Sequence, residues 1–424
     1  MVTAKSKNRS LPLRIHVLAK PTGAACNLDC AYCFFLEKEK LYPGSRFRMS
    51  EAVLEAYISQ VTKAQTSEQV SIAWQGGEPT LMGIDFYRRA IELQQIYGRP
   101  SMIRSQPIVY ENTMQTNGTL LNDEWCRFFR ENNFLIGISI DGPAFLHDRF
   151  RRSKSGDPTF KQVMRGLRLL QKHRVEHNIL VAVNNVNADY PLEVYRFLRD
   201  EAQADWIQFI PVIERLNPDG ERSIVQDGVV VSDRSVKPAQ FGHFLSAVFD
   251  EWVSNDVGSV FIQTFEAAIR NHLGLPSSGM CVFEKTCGLG LALEHNGDLY
   301  SCDHFVEPAY LLGNILETPL VELVLSHRQK AFGLDKGDSL PSVCLDCKVL
   351  FACRGECPKN RFLKTVTGEP NLNYLCEGWK NFFEQSNEQM SKIALLLRSG
   401  RSAAEIMTKP SLKGGDKRIV TTKH

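Results

Sequence analysis

The sequence lacks any run of about 18 apolar residues, so no segment reads as a transmembrane helix. It also lacks a charge excess. Lys+Arg 50 against Asp+Glu 48 leaves a formal charge of +2, which excludes a general nucleic-acid or membrane-surface binder. Lys5, Lys7 and Arg9 precede no apolar stretch long enough for a signal peptide, and no internal repeat is visible. A cytoplasmic protein is therefore expected. Cysteine is nearly missing from the middle of the chain, where Cys126 alone lies between Cys33 and Cys281. Cys126 sits in the helix-like run Trp125–Phe129 and reads as a packing residue.

Elsewhere cysteine is abundant: of 12 in all, three fall within residues 26–33 and eight between 281 and 376. In a reducing compartment, clustered cysteines point to metal ligation or catalysis before disulfides. Two separate metal-binding regions follow. The 424 residues fit two or three modules, and 43% hydrophobic content supplies a sizeable core.

From residue 14 to about 215, short β-type runs alternate with amphipathic stretches. The apolar runs are Ile15–Leu18, Val70–Trp74, Val109–Gln115, Phe134–Ile140, Ile179–Val183 and Trp206–Ile213. Between them lie Ser50–Ala64, Asp85–Ile96, Asn122–Glu131, Phe160–Lys172 and Leu192–Glu201. Six such repeats predict an α/β fold with a parallel sheet and covering helices, either doubly wound or a partial barrel. Cys26–Cys33, Gly76–Pro79, Thr116–Gly118 and Ser139–Gly142 all follow strand-like runs, where parallel sheets place their sites.

The expected organisation is an N-terminal extension (1–13), the β/α region (14–235), a helical connector (236–280) and a cysteine-rich domain (281–385). A last helix, Phe382–Leu397, and a basic, disordered tail (398–424) complete it. Residues 216–240 read as irregular and Gln240–Val253 as a helix. Leu291–Cys302 reads as a β-hairpin on Asn296-Gly297, with a type I′ turn.

Cys26-x3-Cys30-x2-Cys33 places three thiolates in one loop, and three is one fewer than a closed zinc site needs. A four-iron cluster held by three cysteines keeps one iron open to a small molecule. Downstream run Cys281, Cys287, Cys302, then Cys344, Cys347, Cys353, Cys357 and Cys376. Eight thiolates complete two four-iron clusters or two four-cysteine zinc sites.

The first loop, with Tyr32 before its last cysteine, resembles the radical S-adenosylmethionine (SAM) enzymes, as does Gly76-Gly77-Glu78-Pro79. The resemblance implies a partial (β/α)6 barrel of the TIM type and reductive cleavage of SAM to a 5′-deoxyadenosyl radical. It also implies SAM contacts from Gly76, Gly77 and Glu78, the last toward the amine. Ser139 and Arg151 are further implied contacts, with Tyr32 and Ile213 lining the adenine.

The downstream cysteines with Gly297 resemble the SPASM extension, which carries two auxiliary clusters. That resemblance implies one cluster on Cys281, Cys287, Cys302 and Cys357 and another on Cys344, Cys347, Cys353 and Cys376. Cys302–Pro308, Leu312–Ile315, Trp74-Gln75, Gln115–Leu121 and Arg354–Pro358 together resemble the anaerobic sulfatase-maturating enzymes. This implies oxidation of a Cys or Ser in a sulfatase precursor to Cα-formylglycine, with Asp303 as base and three [4Fe–4S] clusters. Gln75, Phe35 and His304 are candidates for the peptide groove. The expected partners are the sulfatase precursor and an electron donor such as flavodoxin or ferredoxin, to a monomeric enzyme. A SPASM enzyme cross-linking a ribosomal peptide would keep the eleven ligands without needing Asp303; a zinc-stabilised binding protein is the third reading.

Overall fold

The computed structural model describes residues 15–65, 67–100, 105–222 and 228–407. The expected extension at 1–13 lies outside them. Each apolar run becomes a parallel strand: β1 (His16–Lys20), β2 (Gln69–Trp74), β3 (Val109–Thr116), β4 (Leu135–Ser139), β5 (His177–Val183) and β6 (Trp206–Pro211). The five amphipathic stretches become α1 (Glu51–Ala64), α2 (Ile84–Tyr97), α3 (Asp123–Glu131), α5 (Phe160–Lys172) and α6 (Pro191–Arg196), and a short α4 (Ala144–Phe150) that was not expected lies between α3 and α5. Capping sets where helices begin. The Ser50 hydroxyl accepts from Val53 N at 3.3 Å and Asn122 Oδ1 from Trp125 N at 2.9 Å.

The six strands lie in sequence order without reversal. A doubly wound sheet reverses its order at a switch point, whereas successive right-handed crossovers without reversal put every helix on one face. The architecture is therefore the partial barrel. It stays open: β7 (Phe261–Ile262) extends the β6 edge, and β8 (Gly290–Glu294) pairs with β1 in parallel, from His16↔Gly290 to Lys20↔Glu294. Strands β9 (Asp298–Tyr300) and β10 (Leu311–Asn314) continue antiparallel, so the cysteine-rich region shares one ten-stranded sheet with the barrel. The buried layer between sheet and helices holds Val17, Ile72, Trp74, Ile138, Val181 and Ile207 against Leu54, Tyr57, Tyr87, Phe129 and Leu167.

Several expectations are corrected. The hairpin pairs Ala292↔Tyr300 and Leu293↔Leu299, and Gly297 N donates to Glu294 O at 3.0 Å. Only Gly297 (φ +97°) has positive φ there, so the loop has three residues and closes on a left-handed glycine, not the two-residue type I′ turn. The last helix begins earlier, at Cys376, and runs to Arg398. Beyond it, Ala403–Ile406 form a 3₁₀ turn, and Ala403, Ile406 and Met407 pack on the core, so the expected disorder does not begin at 398. Helix α7 (Pro238–Asn255) replaces the shorter Gln240–Val253, and α8 (Gln263–His272) lies within the expected helical connector. Gly242 of α7 and Gly378 meet backbone to backbone: a Cβ on Gly378 would lie 2.2 Å from Pro238 O. This crossing seats Cys376, two residues before Gly378. Among the described residues, no helix is long and apolar enough to cross a membrane.

Candidate active site

The loop after β1 carries Cys26, Cys30 and Cys33. It is folded by Gly23 N→Lys20 O and Cys33 N→Cys30 O, both 2.9 Å, and tied to the β2 end by Gly77 N→Gly23 O at 2.7 Å and Glu78 N→Ala25 O at 2.9 Å. Any side chain on Gly77 would lie 2.0 Å from Ala25 O, and Gly76 has φ +126°. The glycine pair thus lets the cysteine loop close onto the strand end. Burial pushes the Cys26 thiol up to about 11 and Cys30 to about 12, with neighbouring thiols adding to both. Such thiols ionise only against a cation, as iron ligation supplies.

Glu78 is completely buried. Its Oε1 accepts from Thr80 N (3.0 Å), Thr80 Oγ1 (2.6 Å) and Thr116 Oγ1 (2.8 Å), and its Oε2 from Asn117 N (2.8 Å). The carboxylate is committed to knitting two strand ends together. Among the described residues its Oε2 accepts only the bond from Asn117 N. Ser139 ends β4, its Oγ accepting from Gln115 Nε2 at 3.0 Å. Arg151 is buried, pairs with Asp141 at 2.9 Å and lies 5.6 Å from the Tyr32 ring, whose hydroxyl donates to the same carboxylate. Ile213, half-buried beyond β6, packs against the core.

Asp303 opens a 3₁₀ turn after β9 and forms an ion pair with Lys20 of β1. Lys20 is fully buried and its ammonium stands 3.8 Å from the Phe35 ring centroid. Burial alone would raise the Asp303 pKa, but Lys20 and then His304 outweigh it and hold the carboxyl below its ordinary value. Of the three expected groove residues, Phe35 is buried beneath Lys20, and His304 Nδ1 sits 3.3 Å from Cys357 Sγ. Gln75 stays half-buried at the β2 end.

The downstream thiols gather in two groups. Cys281, Cys287 and Cys302 each feel the charge of Cys357, and all are pushed up chiefly by burial. Cys344 and Cys353 feel Cys376, which in turn feels Cys347. A cavity is lined by Cys344, Cys347, Cys353 and Cys376. Beside the first group lies buried Lys336, bonded to the carbonyls of Cys281 (2.6 Å) and Val282 (2.9 Å). A buried cation favours an anionic neighbour, which a four-thiolate cluster provides. Among the described residues no group of three His, Cys, Asp or Glu side chains is placed to hold a metal ion. The donor set suits iron–sulfur clusters.

Residues 21–198 match the Radical SAM superfamily and residues 286–348 the iron–sulfur cluster-binding SPASM domain. Fold and site thus define a radical SAM enzyme with a SPASM domain. A serine-type anaerobic sulfatase-maturating enzyme of Bacteroides thetaiotaomicron is 46% identical over 96% of this chain and 97% of its own. A cysteine-type enzyme of Clostridium perfringens is 31% identical over 90% of this chain and 98% of its own. The solved structure of native anSMEcpe with bound AdoMet and the Cp18Cys peptide superposes with a TM-score of 0.78, at 31% identity, covering 90% of this chain and 99% of that one. The chain belongs to the anaerobic sulfatase-maturating enzymes.

Sequence reasoning missed the partners of the site: Lys20, Asp141, Thr80, Thr116 and Asn117. Asp141, Thr116 and Asn117 lay within flagged turns, without a role assigned to them. Lys20 carried a readable signal as well, being a charged residue at the end of an otherwise apolar strand.

Proposed function

We propose that this enzyme oxidises one Ser or Cys residue of a sulfatase precursor to Cα-formylglycine, with Asp303 as the base. The observation that carries this reading is the Lys20–Asp303 pair, which places a carboxylate next to Cys302 and at the end of the strand that feeds the Cys26–Cys33 loop. Cys26, Cys30 and Cys33 would hold the SAM-binding cluster. Cys281, Cys287, Cys302 and Cys357 would hold one auxiliary cluster, and Cys344, Cys347, Cys353 and Cys376 the other. When bound, SAM and the clusters supply a 5′-deoxyadenosyl radical for the substrate Cβ hydrogen and a sink for the second electron.

The chain's own residues then orient the substrate and move its proton. Arg151, Ser139, Tyr32, Ile213 and the Gly76–Gly77 backbone seat SAM; Glu78 shapes that seat through Thr80, Thr116 and Asn117. Lys20 keeps Asp303 ionised at neutral pH, ready to accept. A serine hydroxyl is too weak an acid for such a carboxylate at rest. It becomes acidic as its carbon is oxidised, so proton transfer accompanies the oxidation. Serine is the target favoured by the likeness to the serine-type enzyme. The electron donor is a small one-electron protein such as flavodoxin or ferredoxin. On this reading the enzyme is a monomer in the cytoplasm, a reducing compartment that suits its clustered thiols.

Mass spectrometry of Ser- and Cys-containing sulfatase-motif peptides, incubated with SAM and reductant, tests the reading. An aldehyde product is expected, and its absence from both peptides overturns the maturase function. Asp303→Asn should keep its iron and its SAM cleavage while losing roughly 10²–10⁴-fold in aldehyde formation.

A further inference from the structure

Asp141 is 1% exposed and every one of its polar atoms is engaged. Its Oδ2 receives the Tyr32 hydroxyl and faces Arg151 Nε at 2.9 Å; its Oδ1 accepts from Ala182 N of β5 at 3.0 Å. Its own N–H donates to His147 Nδ1 at 3.3 Å, and its carbonyl accepts from Asn187 Nδ2 at 3.1 Å. Because His147 Nδ1 is an acceptor, its Nε2 carries the proton and donates to Thr159 Oγ1 at 3.2 Å. That hydroxyl donates onward to Arg151 O at 2.8 Å. Asp141 therefore grips Arg151 twice, through its side chain and through a His147–Thr159 relay to its backbone. The neighbours of Arg151 complete the frame: Ala31 N donates to Phe150 O (2.9 Å) and Asp29 N to Arg152 O (2.8 Å), fastening this segment to the cysteine loop.

Resting on the SAM reading above, we infer that Asp141 is a positioning residue for SAM. It fixes the Nε edge of Arg151 and leaves both Nη groups, which make no hydrogen bond among the described residues, for the methionyl carboxylate. The same carboxylate oxygen fixes the Tyr32 phenol, so the group that recognises charge and the ring beside the cluster are set by one atom. An unpinned arginine would pay rotamer entropy on each binding event. Asp141 removes that cost in advance.

The test compares Asp141→Asn, Arg151→Gln and the double variant, anaerobically reconstituted. Asparagine keeps the bond from Ala182 N, but its amide opposes the N–H of Arg151 and no longer accepts from Tyr32. Expected are wild-type iron content, a SAM Kd raised at least tenfold by equilibrium dialysis, and a weakened SAM-induced change in the reduced-cluster EPR signal. The KM for peptide should stay within twofold, because the substrate groove is untouched, while wild-type iron content excludes a general loss of folding. The double variant should lose less SAM affinity than the product of the two single losses, because Asp141 acts in large part through that arginine. A wild-type SAM Kd in iron-loaded Asp141→Asn, or losses that simply multiply in the double variant, would overturn the inference. Should Asp141→Asn fail to load iron, Asp141→Glu decides: it retains the charge but displaces it by one methylene, so a raised SAM Kd supports the inference and an unchanged one ends it. Failure of the underlying reading shows separately, as a wild-type enzyme that binds no SAM.

Discussion

Replacing Lys20 with Met tests the central pair directly. Methionine keeps the unbranched stem against Phe35 while deleting the ammonium that stands 3.8 Å from that ring. Lys20 is fully buried and Asp303 only 19% exposed, so little solvent screens the pair. At an effective dielectric near 20, unit charges at about 4 Å attract by ~4 kcal/mol, and stripping one partner from a buried pair costs about 3–5 kcal/mol. The cation–ring contact adds roughly 0.5–2 kcal/mol. The sign with pH follows from the lowered Asp303 pKa. With Lys20 present, the pair's stabilisation is complete above the ordinary carboxylate value and is lost as pH falls through the lowered folded value. Without Lys20, burial is the dominant influence left and raises the pKa, so the acid limb of kcat/KM must move to higher pH. The assay is aldehyde formation across pH at saturating SAM, paired with denaturant unfolding of the cluster-loaded protein. An acid limb at the wild-type pH together with a stability loss under about 1 kcal/mol would refute the reasoning.

Gly77→Ala should unseat the cysteine loop, because its Cβ would lie 2.0 Å from Ala25 O. Iron content should fall by about a third, to that of two four-iron clusters; full iron with normal SAM binding would show that the loop has other room. His147 offers a second pH test. Burial holds its pKa at about 4, against an ordinary 6.5, and protonation would also break the bond from Asp141 N. Its contribution is complete above pH 6.5 and is lost as pH falls toward 4, by about 3 kcal/mol. His147→Gln should flatten that slope in unfolding experiments, and an unchanged slope would point to another group.

Most of the sheet was legible because strands buried on both faces must be apolar throughout, as Ile179–Val183 is, and helices between them must alternate with the helical period. The choice between barrel and doubly wound sheet was not legible from periodicity, since strand order is a property of crossovers. Helix α4, at seven residues, is too short to show a period, and the hairpin loop was misjudged because Asn-Gly also fits a three-residue turn ending on glycine. The cysteine groupings were implied by the resemblance. The polar partners were harder. Lys20 and Asp303 are 283 positions apart, and nothing local to Lys20 says that a carboxylate awaits it. Asp141 likewise takes its meaning from Tyr32 and Arg151, which reach it from separate loops.

The parallel pairing of β8 with β1 has a consequence for how such enzymes diversify. Strands lie about 4.8 Å apart, so β9, which leads to Cys302 and Asp303, stands about 10 Å from β1, which leads to the radical-forming loop. On the proposed roles, the sheet works as a fixed gauge between the loop that would form the radical and the carboxylate that would take the proton. Segments off the gauge, such as the connector before α7, are free to lengthen or change sequence without disturbing that interval. Recognition of a new protein substrate can therefore drift while the spacing of the chemistry stays constant.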